Sequence, residues 1–183
     1  VSSNSLWKYL DNGSDQGTSW RDLNFNDNSW SQGNAPLGFG NAYTTLVSSG
    51  KIGYYFRQKI NLNPNSYSSL NANIKRDDGI VVYINNNEVY RNNMPSGTIS
   101  YNTVASSTCS DDGKTTFNFP ISNNVFISGD NIITVEIHNR KTSSSDITFQ
   151  LELLGTPTGS ATCNAPPSLS TSNIANTTAT LNW

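Results

Sequence analysis

Apolar and polar residues alternate one by one in several short segments of the chain. In residues 54–62, one parity holds Tyr54, Phe56, Ile60 and Leu62, and the other holds Tyr55, Arg57, Lys59 and Asn61. Two later segments repeat the pattern, with apolar positions at Ile133, Val135 and Ile137, then at Ile147, Phe149, Leu151 and Leu153. A period of two predicts strands with one buried and one solvated face. No segment keeps a helical period, so the sequence predicts an all-β fold.

The segment 70–84 has an apolar face at its even positions, which Arg76 and Asp78 interrupt. Gly79 predicts a bend or bulge in the strand at this point. The run Asn85-Asn86-Asn87 then separates two strand-like segments. Because Asn tolerates the left-handed backbone region, a tight hairpin is expected there.

Short strands separated by long loops at 11–50 and 92–114 favour a two-sheet antiparallel sandwich with Greek-key or jelly-roll connections. The domain is predicted to end near residue 155, where a segment of linker composition, 156–166, begins. The remaining residues, 167–183, resemble the first two strands of a fibronectin type III domain, in which Pro, Leu, Ile and Trp recur at this spacing.

Composition excludes several classes of partner. Only 13% of the 183 residues are charged, the net charge is −2, and no run of Lys or Arg exceeds two residues. A nucleic-acid partner or an anionic membrane surface is therefore not expected. No stretch approaches the roughly 20 apolar residues of a membrane span, and Val1 begins without a signal-peptide pattern. A secreted or cell-surface segment fits this start.

The two cysteines, Cys109 and Cys163, lie in polar, loop-like contexts without the spacing of a zinc site. They could pair with each other. Cys163 could equally pair with a cysteine elsewhere in a longer protein, and this second alternative is favoured.

Three N-terminal segments, Trp7–Arg21, Phe25–Trp30 and Ala35–Gly40, together resemble the beginning of galactose-binding-like jelly-roll domains. The resemblance continues over about residues 6–155, through Tyr55–Arg57, Lys75–Asn85, Asn93–Pro95 and Glu136–His138. Such domains occur beside hydrolases and fibronectin modules in secreted, multidomain bacterial proteins. The resemblance implies a β-sandwich that often binds carbohydrate and often holds a structural calcium ion.

Arg76 and Asp78 share an otherwise apolar face, so both charges are expected to be partly buried and paired. They could contact a ligand or ion at the edge of the sandwich. The favoured alternative is a structural ion pair beside the strand bend, because buried charges are usually paired. Asp77, of opposite parity, is expected to point to solvent or a loop.

Polar positions of the predicted strands could share one open face and form a sugar-binding surface. Its candidate residues are Tyr55, Arg57, Lys59, Glu136, His138, Gln150 and Glu152. Arg, Glu and Gln side chains bind paired hydroxyls, and an aromatic ring stacks on the apolar side of a pyranose. An ordinary solvated sheet face is an equally good interpretation.

Several aromatic residues lie in or beside the long N-terminal loops. Trp7 and Trp30 are predicted to anchor loops to the core, as such residues usually do. Trp20 and Tyr43 are the better candidates for exposed sugar-stacking rings.

Asp11, Asn12, Asp15 and Asp27 supply oxygen ligands of the kind that calcium prefers. The spacing does not fit an EF-hand, since Gln16 occupies the position of its glycine. A structural calcium ion in these loops is therefore expected mainly from the resemblance. The run Asp111-Asp112-Gly113 is predicted to be only a turn.

Together these features predict a non-catalytic carbohydrate-binding or adhesion module, which holds an attached enzyme or surface protein near a polysaccharide. The partners expected are a glycan and the adjacent domains of the same chain. One alternative is a structural spacer without a ligand. The other is a polysaccharide lyase using His138, Tyr55 and Arg57, but a single histidine without a metal-ligand cluster is weak support for catalysis.

Overall fold

The computed structural model describes residues 1–159 in full, and it describes residues 170–175 and 178–182 as strands. The strands are β1 (Leu6–Leu10), β2 (Ser31–Asn34), β3 (Leu37–Phe39), β4 (Thr45–Leu46), β5 (Gly53–Leu62), β6 (Tyr67–Asp77), β7 (Gly79–Ile84), β8 (Asn87–Asn92), β9 (Phe117–Ile121), β10 (Gly129–His138), β11 (Ile147–Pro157), β12 (Ser170–Ala175) and β13 (Thr178–Asn182). Three short 3₁₀ helices cover Ser19–Arg21, Pro64–Ser66 and Asn123–Val125.

Two stacked sheets form the sandwich within residues 1–159. The six-stranded sheet has the order β2-β1-β5-β10-β7-β8, and the five-stranded sheet has the order β4-β3-β11-β6-β9. The series β5-β10-β7-β8 and β3-β11-β6-β9 contain eight strands connected in the manner of a jelly roll: successive strands alternate between the sheets, except at the β7–β8 hairpin. The predicted all-β sandwich is confirmed. One pairing differs from the antiparallel prediction, because β3 and β4 run parallel.

The main core lies between the sheets and consists of the apolar side chains that alternate along each strand and point inward. The ring centroids of Trp7 and Phe149 lie 4.9 Å apart in an edge-to-face arrangement, and those of Phe56 and Phe149 lie 4.2 Å apart in a stacked arrangement. Tyr54, Phe56, Phe149 and Leu151 are all buried there, as the alternation predicted. Trp7 is therefore the core anchor that the sequence indicated.

The chain crosses from one sheet to the other between β6 and β7. The predicted bend at Gly79 is confirmed, but residues 70–84 form two strands in different sheets rather than one bent strand. A Cβ at Gly79 would lie 2.8 Å from the backbone oxygen of Asn93 and would also meet the Met94 sulfur, so the crossing requires glycine here. Asn85 (φ 47°) and Asn86 (φ 69°) form the predicted left-handed hairpin turn between β7 and β8.

A second apolar cluster covers the outer side of the six-stranded sheet. Trp20, Trp30 and Ile99, from the long loops, pack on Tyr55 and Tyr83 of the sheet. The loops thus exclude water from a face that alternation alone predicted to be solvated. The predicted wet face is wrong for Tyr55 and Arg57 of β5 and for the C-terminal half of β10, whereas Lys59 and Asn61, farther along β5, are exposed as expected.

Strand β11 extends to Pro157, two positions beyond the predicted end of the domain. Most of the linker predicted at 156–166, and Cys163 with it, lies outside the described residues. Strands β12 and β13 pair antiparallel in the segment that resembles a fibronectin type III domain. That identity and the domain boundaries remain predictions. None of the helices in the described parts of the chain has the length and apolar character that a membrane crossing needs.

Candidate functional site

The predicted sugar-binding surface is not a single open face. Tyr55, Arg57, Glu136 and His138 do lie together on β5 and β10, but each is at most 2% exposed. Gln150 and Glu152 belong to the other sheet. Trp20, expected to be exposed, is fully buried against the ring of Tyr55. The surface and the exposure of Trp20 were both predicted wrongly, because the N-terminal loop folds back over the sheet.

Arg57 binds that loop to the sheet. Its Nε donates to Oδ2 of Asp27 at 2.8 Å, and its terminal nitrogens donate to the backbone oxygens of Asp22 and Trp20. The other oxygen of Asp27 lies 3.6 Å from Nζ of Lys8. Asp27 therefore neutralises two cations, and its predicted role as a calcium ligand is not what these contacts indicate.

Glu136 is the centre of a buried polar cluster beside Trp20. The Tyr83 hydroxyl donates to Oε1 at 2.6 Å, His138 Nε2 lies 3.2 Å from Oε2, and the Arg21 guanidinium is 4.0 Å from Oε1. Burial by itself raises the pKa of Glu136, but its neighbours His138, Tyr83 and Arg21 together hold that pKa below its usual value. The cluster is thus a paired, buried carboxylate of structural type.

The lyase alternative required His138, Tyr55 and Arg57 within hydrogen-bond reach around one cleft. All three are buried, and no hydrogen bond joins any two of them in residues 1–159. The predicted acid, base and charge-neutralising arrangement is therefore not found.

The carboxylates of Asp11 and Asp15 accept hydrogen bonds from backbone amides of nearby loops. Asp11 Oδ2 accepts from the Ser48 amide at 2.6 Å, and Asp15 Oδ1 accepts from the Gly17 amide at 2.8 Å. Among the described residues, no three His, Cys, Asp or Glu side chains are grouped so that they could hold a metal ion. Asp11, Asp15 and Asp27 therefore do not form one site, and calcium binding stays a prediction.

Arg76 and Asp78 hold the crossing between the sheets, although not as the predicted ion pair. Arg76 Nη1 donates to the backbone oxygen of Asp78 at 2.7 Å. The Asp78 carboxylate instead accepts from the amides of Cys109 at 2.6 Å and Arg140 at 2.7 Å. Asp77 was expected to point to solvent or a loop. It is 2% exposed, so it does not reach solvent, and the Asp146 carboxylate of the loop between β10 and β11 lies near it.

Polar side chains cross the outer side of the five-stranded sheet in rows. In one row, Asn118 Nδ2 donates to Oδ1 of Asn73 at 2.9 Å, and Asn73 Nδ2 donates to Oε2 of Glu152 at 3.0 Å. The next row pairs Lys75 with Gln150. These five residues, Asn73, Lys75, Asn118, Gln150 and Glu152, are called the open face.

Two depressions meet on the open face at Lys75 and Gln150. One, of about 240 Å³, extends toward Tyr43 and the turn at Asp112–Lys114. The other, of about 210 Å³, extends toward Asn73, Glu152 and Thr116. Gln150 Nε2 donates to the backbone oxygen of Ser3 at 3.0 Å, whereas the Lys75 ammonium makes no hydrogen bond or ion pair within residues 1–159. The two depressions thus form one groove, and the ammonium of Lys75, unpaired within residues 1–159, lies where they meet.

Tyr43 is a fixed ring at one end of this groove. Its hydroxyl lies 2.7 Å from Oγ1 of Thr148 on β11, and its ring covers Gly38 of β3. A methyl group at Gly38 would lie 2.7 Å from Cζ of Tyr43, so only glycine lets the ring approach this closely. Tyr43 is partly exposed, in agreement with the sequence prediction. The arrangement places a planar ring beside amide, ammonium and carboxylate groups.

Alternation along the sequence identifies part of the open face. Gln150 and Glu152 were recognised by their alternation with Phe149 and Leu151, and Asn73 and Lys75 alternate with Ala72 and Ile74 in the same way. What the pattern could not provide is the pairing of strands. The register of β6 with β11 places these four residues side by side.

Comparison with known proteins gives structural likenesses only. The sequence matches no protein-family model and no curated protein. The fold is similar to part of a Bacteroides uniformis β-glucuronidase 2 covalently bound to cyclophellitol-6-carboxylate aziridine, with 18% identity, a TM-score of 0.57, and coverage of 84% of this chain and 17% of that chain. A second structure of Bacteroides uniformis β-glucuronidase has 17% identity, a TM-score of 0.57, and coverage of 85% and 17%.

A glycosyl hydrolase family 2 member from Bacteroides cellulosilyticus is also similar, with 15% identity, a TM-score of 0.51, and coverage of 83% of this chain and 20% of that chain. This chain therefore spans a fifth or less of the length of each of these three structures. At such identities the likeness establishes the architecture alone, an all-β sandwich of the kind that forms one part of those chains.

Proposed function

We propose that this domain is a non-catalytic carbohydrate-binding or adhesion module of a secreted or cell-surface multidomain protein, and that the open face with Tyr43 is its binding site. The single observation that carries the proposal is the fixed, partly exposed Tyr43 ring at the end of a groove lined by Lys75 and Gln150. An open polar face is ordinary for an antiparallel sheet. An aromatic ring held over that face by a glycine and a hydrogen bond is not.

The chemistry of the groove suits a sugar chain. Amide, ammonium and carboxylate groups donate to and accept from paired hydroxyls, and the Tyr43 ring offers a surface for the apolar side of a pyranose. The groove is shallow, so we expect weak binding at each module. Several modules on one protein would add avidity.

The structural neighbours support a carbohydrate context for the proposal. Two are β-glucuronidases and one is a glycosyl hydrolase family 2 member, and this chain resembles only a minor part of each. A domain that accompanies a carbohydrate-active enzyme, without carrying its reaction, fits that relation. The substrates of those proteins are not transferred to this chain.

Affinity electrophoresis of the 183-residue chain through gels that contain different polysaccharides tests the proposal. We expect retardation on at least one polysaccharide. Tyr43→Ala and Gln150→Ala should each weaken that binding roughly tenfold, the equivalent of about 1.4 kcal/mol. Gln32→Ala is the matched control, because Gln32 is exposed on an edge strand of the other sheet.

Absence of retardation on every polysaccharide would contradict the proposal and favour a structural spacer. Retardation that survives both Tyr43→Ala and Gln150→Ala would leave carbohydrate binding intact but remove it from the open face. Thermal unfolding of each variant separates a lost contact from a lost fold.

A further inference from the structure

A second cleft, of about 270 Å³, lies where β6 ends, beside the loop that leads from β8 to β9. Its lining includes Arg76, Thr108, Cys109, Asp111, Thr115 and Phe117. The turn at residues 111–115 separates this Arg76 cleft from the open face, because Asp111 and Thr115 line the cleft while Asp112 and Lys114 line the groove. The Arg76 cleft and the groove on the open face are therefore separate sites on either side of one turn.

Arg76 is held rigidly in this cleft. Only 9% of the residue is exposed. Its Nε donates to Oδ1 of Asn92 at 2.7 Å, its Nη1 donates to the backbone oxygen of Asp78 at 2.7 Å, and its guanidinium lies 4.8 Å from the centre of the Phe117 ring. The remaining nitrogen, Nη2, donates to no group in residues 1–159. Nη1 also lies 3.2 Å from the Cys109 sulfur, so within the described residues Nη2 is the guanidinium nitrogen without a partner.

The wall opposite supplies acceptors. Asp111 Oδ1 accepts from the Cys109 thiol at 2.8 Å, and Oδ2 accepts from the Thr115 amide at 2.7 Å. These donors from Cys109 and Thr115 hold the pKa of Asp111 well below its usual range, so the group stays a carboxylate. Each oxygen keeps a further lone pair. The hydroxyls of Thr108 and Ser110 make no hydrogen bond within the described residues and add donors and acceptors.

The charge balance excludes an anion as the preferred ligand. The Asp111 carboxylate lines the cleft together with Arg76, and Asp78 is bound to the Arg76 guanidinium through its backbone, so the positive charge already has carboxylates nearby. A donor edge beside carboxylate and hydroxyl acceptors instead matches neutral neighbouring hydroxyls, each of which both donates and accepts. The volume is below the roughly 300–1,000 Å³ of pockets for drug-sized ligands, which favours one ring over a chain.

We propose that the Arg76 cleft is a second binding site, which takes one neutral sugar unit through neighbouring hydroxyls between Arg76 Nη2 and Asp111. The inference goes beyond the proposed function, since it does not depend on binding at the open face. It predicts that the domain recognises a single sugar, such as the end of a chain, independently of the chain interior.

The Cys109 thiol provides a direct measure of occupancy. Cys109 lies in the cleft wall and is partly exposed, so iodoacetamide should alkylate it slowly, and peptide mass spectrometry distinguishes it from Cys163. The probes are the methyl glycosides of galactose, glucose, mannose and fucose, at up to roughly 100 mM, which detects millimolar dissociation constants. At three times the dissociation constant, alkylation of Cys109 should slow about fourfold. Backbone amide resonances of residues 108–115 should shift in the same titration.

Blocking variants locate the effect. Thr115→Trp fills the cleft from an exposed position, and Ser110→Trp fills it from a second exposed position if the first variant does not fold. Thr156→Trp is the matched control, because Thr156 is exposed and pairs with the opposite end of β6. We expect the two cleft variants to lose the amide shifts and the control to keep them.

Tyr43→Ala should leave these monosaccharide effects unchanged, which separates this proposal from the proposed function. If no glycoside shifts the amides of residues 108–115 or slows Cys109 alkylation, the inference is wrong. It is equally wrong if the shifts persist in a folded variant that fills the cleft. Neither result would bear on polysaccharide retardation at the open face.

Discussion

The outward-facing residues of the two sheets have similar alternating sequences but differ in their exposure to solvent. On the six-stranded sheet, the outward residues in the middle of β5 and at the end of β10 are buried under aromatic residues of the loops, with Arg57 and Glu136 each 2% exposed. On the five-stranded sheet, the polar parity of β6 and β11 stays open. Alternation therefore identifies the second face of a strand, but the loops decide whether water reaches it.

The polar residues of the two faces differ in the partners that they have. Arg57 is bound on three sides by Asp27 and two backbone oxygens of the loop, and Glu136 is bound by Tyr83. On the open face, Lys75 has no such partner within residues 1–159. A buried charge needs its partners inside the protein, whereas an open one remains available to a ligand.

The largest expected effect comes from removing the charge that holds the loop down. Arg57→Met leaves Asp27 with only the more distant Lys8 and leaves the Trp20 and Asp22 oxygens without their donor. We expect a loss of about 3 kcal/mol in the free energy of unfolding, the lower part of the range for breaking a buried pair. Urea denaturation measures the change. Lys59→Ala, exposed two positions along the same strand, should stay within about 0.5 kcal/mol.

A stable Arg57→Met variant with unchanged tryptophan fluorescence would contradict this account. It would mean that the aromatic contacts of Trp20 and Trp30 alone close the loop over the sheet. In that case, the loss in the free energy of unfolding predicted for Arg57→Met would appear only in the double variant that also carries Trp20→Ala.

The second effect tests where the open face ends. Asp77 lies two positions beyond Lys75 on the same side of β6, but it is buried. Its burial, and to a smaller extent the nearby carboxylates of Asp146 and Asp78, raises the pKa of Asp77 to about 8. The folded state therefore holds this proton more tightly than the unfolded chain, whose aspartates titrate near 3.9. Stability from this group is complete below about pH 4 and is lost as the pH rises to about 8.

Asp77→Asn should remove that dependence, because the amide stays neutral. We expect the variant to gain stability relative to the parent between pH 5 and pH 9, by roughly 2 kcal/mol at the upper end. Urea midpoints at a series of pH values measure it, with Asp15→Asn as the exposed control. A parent chain that gains stability from pH 5 to pH 9 through this position would contradict the assigned direction.

The fold could be predicted from the sequence to a large extent, and the candidate site only in part. The long strands β5, β6, β7, β10 and β11 followed from alternation, whereas β2, β3 and β4 lie within the segment 11–50 that was predicted to be a loop. The Asn85-Asn86 turn followed from the tolerance of Asn for positive φ. Tyr43 and Gln150 were found, but Trp20 and His138 were placed at the surface. Periodicity describes one strand at a time, while the burial of Trp20 depends on a loop that folds over strands distant in sequence.

The same limit explains Arg76 and Asp78. Their burial was predicted from the apolar positions around them, and it is confirmed. Their contacts were not, because the chain changes sheets at this point and brings the Cys109 and Arg140 amides to the Asp78 carboxylate. Two amides from distant loops leave no pattern in the sequence near Asp78.

A smaller effect is expected where the Tyr43 ring meets the sheet. In Gly38→Ala, the added methyl group would collide with the Ile147 backbone oxygen and with the Tyr43 ring. We expect a loss of about 1–3 kcal/mol in the free energy of unfolding, typical of overpacking, together with loss of polysaccharide retardation. Gly159→Ala is the control, since its methyl group would contact nothing within 4 Å in the described chain. Unchanged retardation in Gly38→Ala would show that the ring position does not matter for binding.

Lys75→Ala is expected to have the smallest effect on stability, and it tests most directly whether the open face differs from the buried outer face of the other sheet. Because Lys75 has no hydrogen bond or ion pair within residues 1–159, its removal should change the free energy of unfolding by less than about 0.5 kcal/mol. Its place where the two depressions meet predicts that polysaccharide binding weakens by about 1 kcal/mol, the value of one hydrogen bond. Lys59→Ala, on the other sheet, should change neither. If Lys75→Ala destabilised the fold as Arg57→Met does, the two faces would not differ in the way that their contacts indicate, and Lys75 would be a structural residue like Arg57.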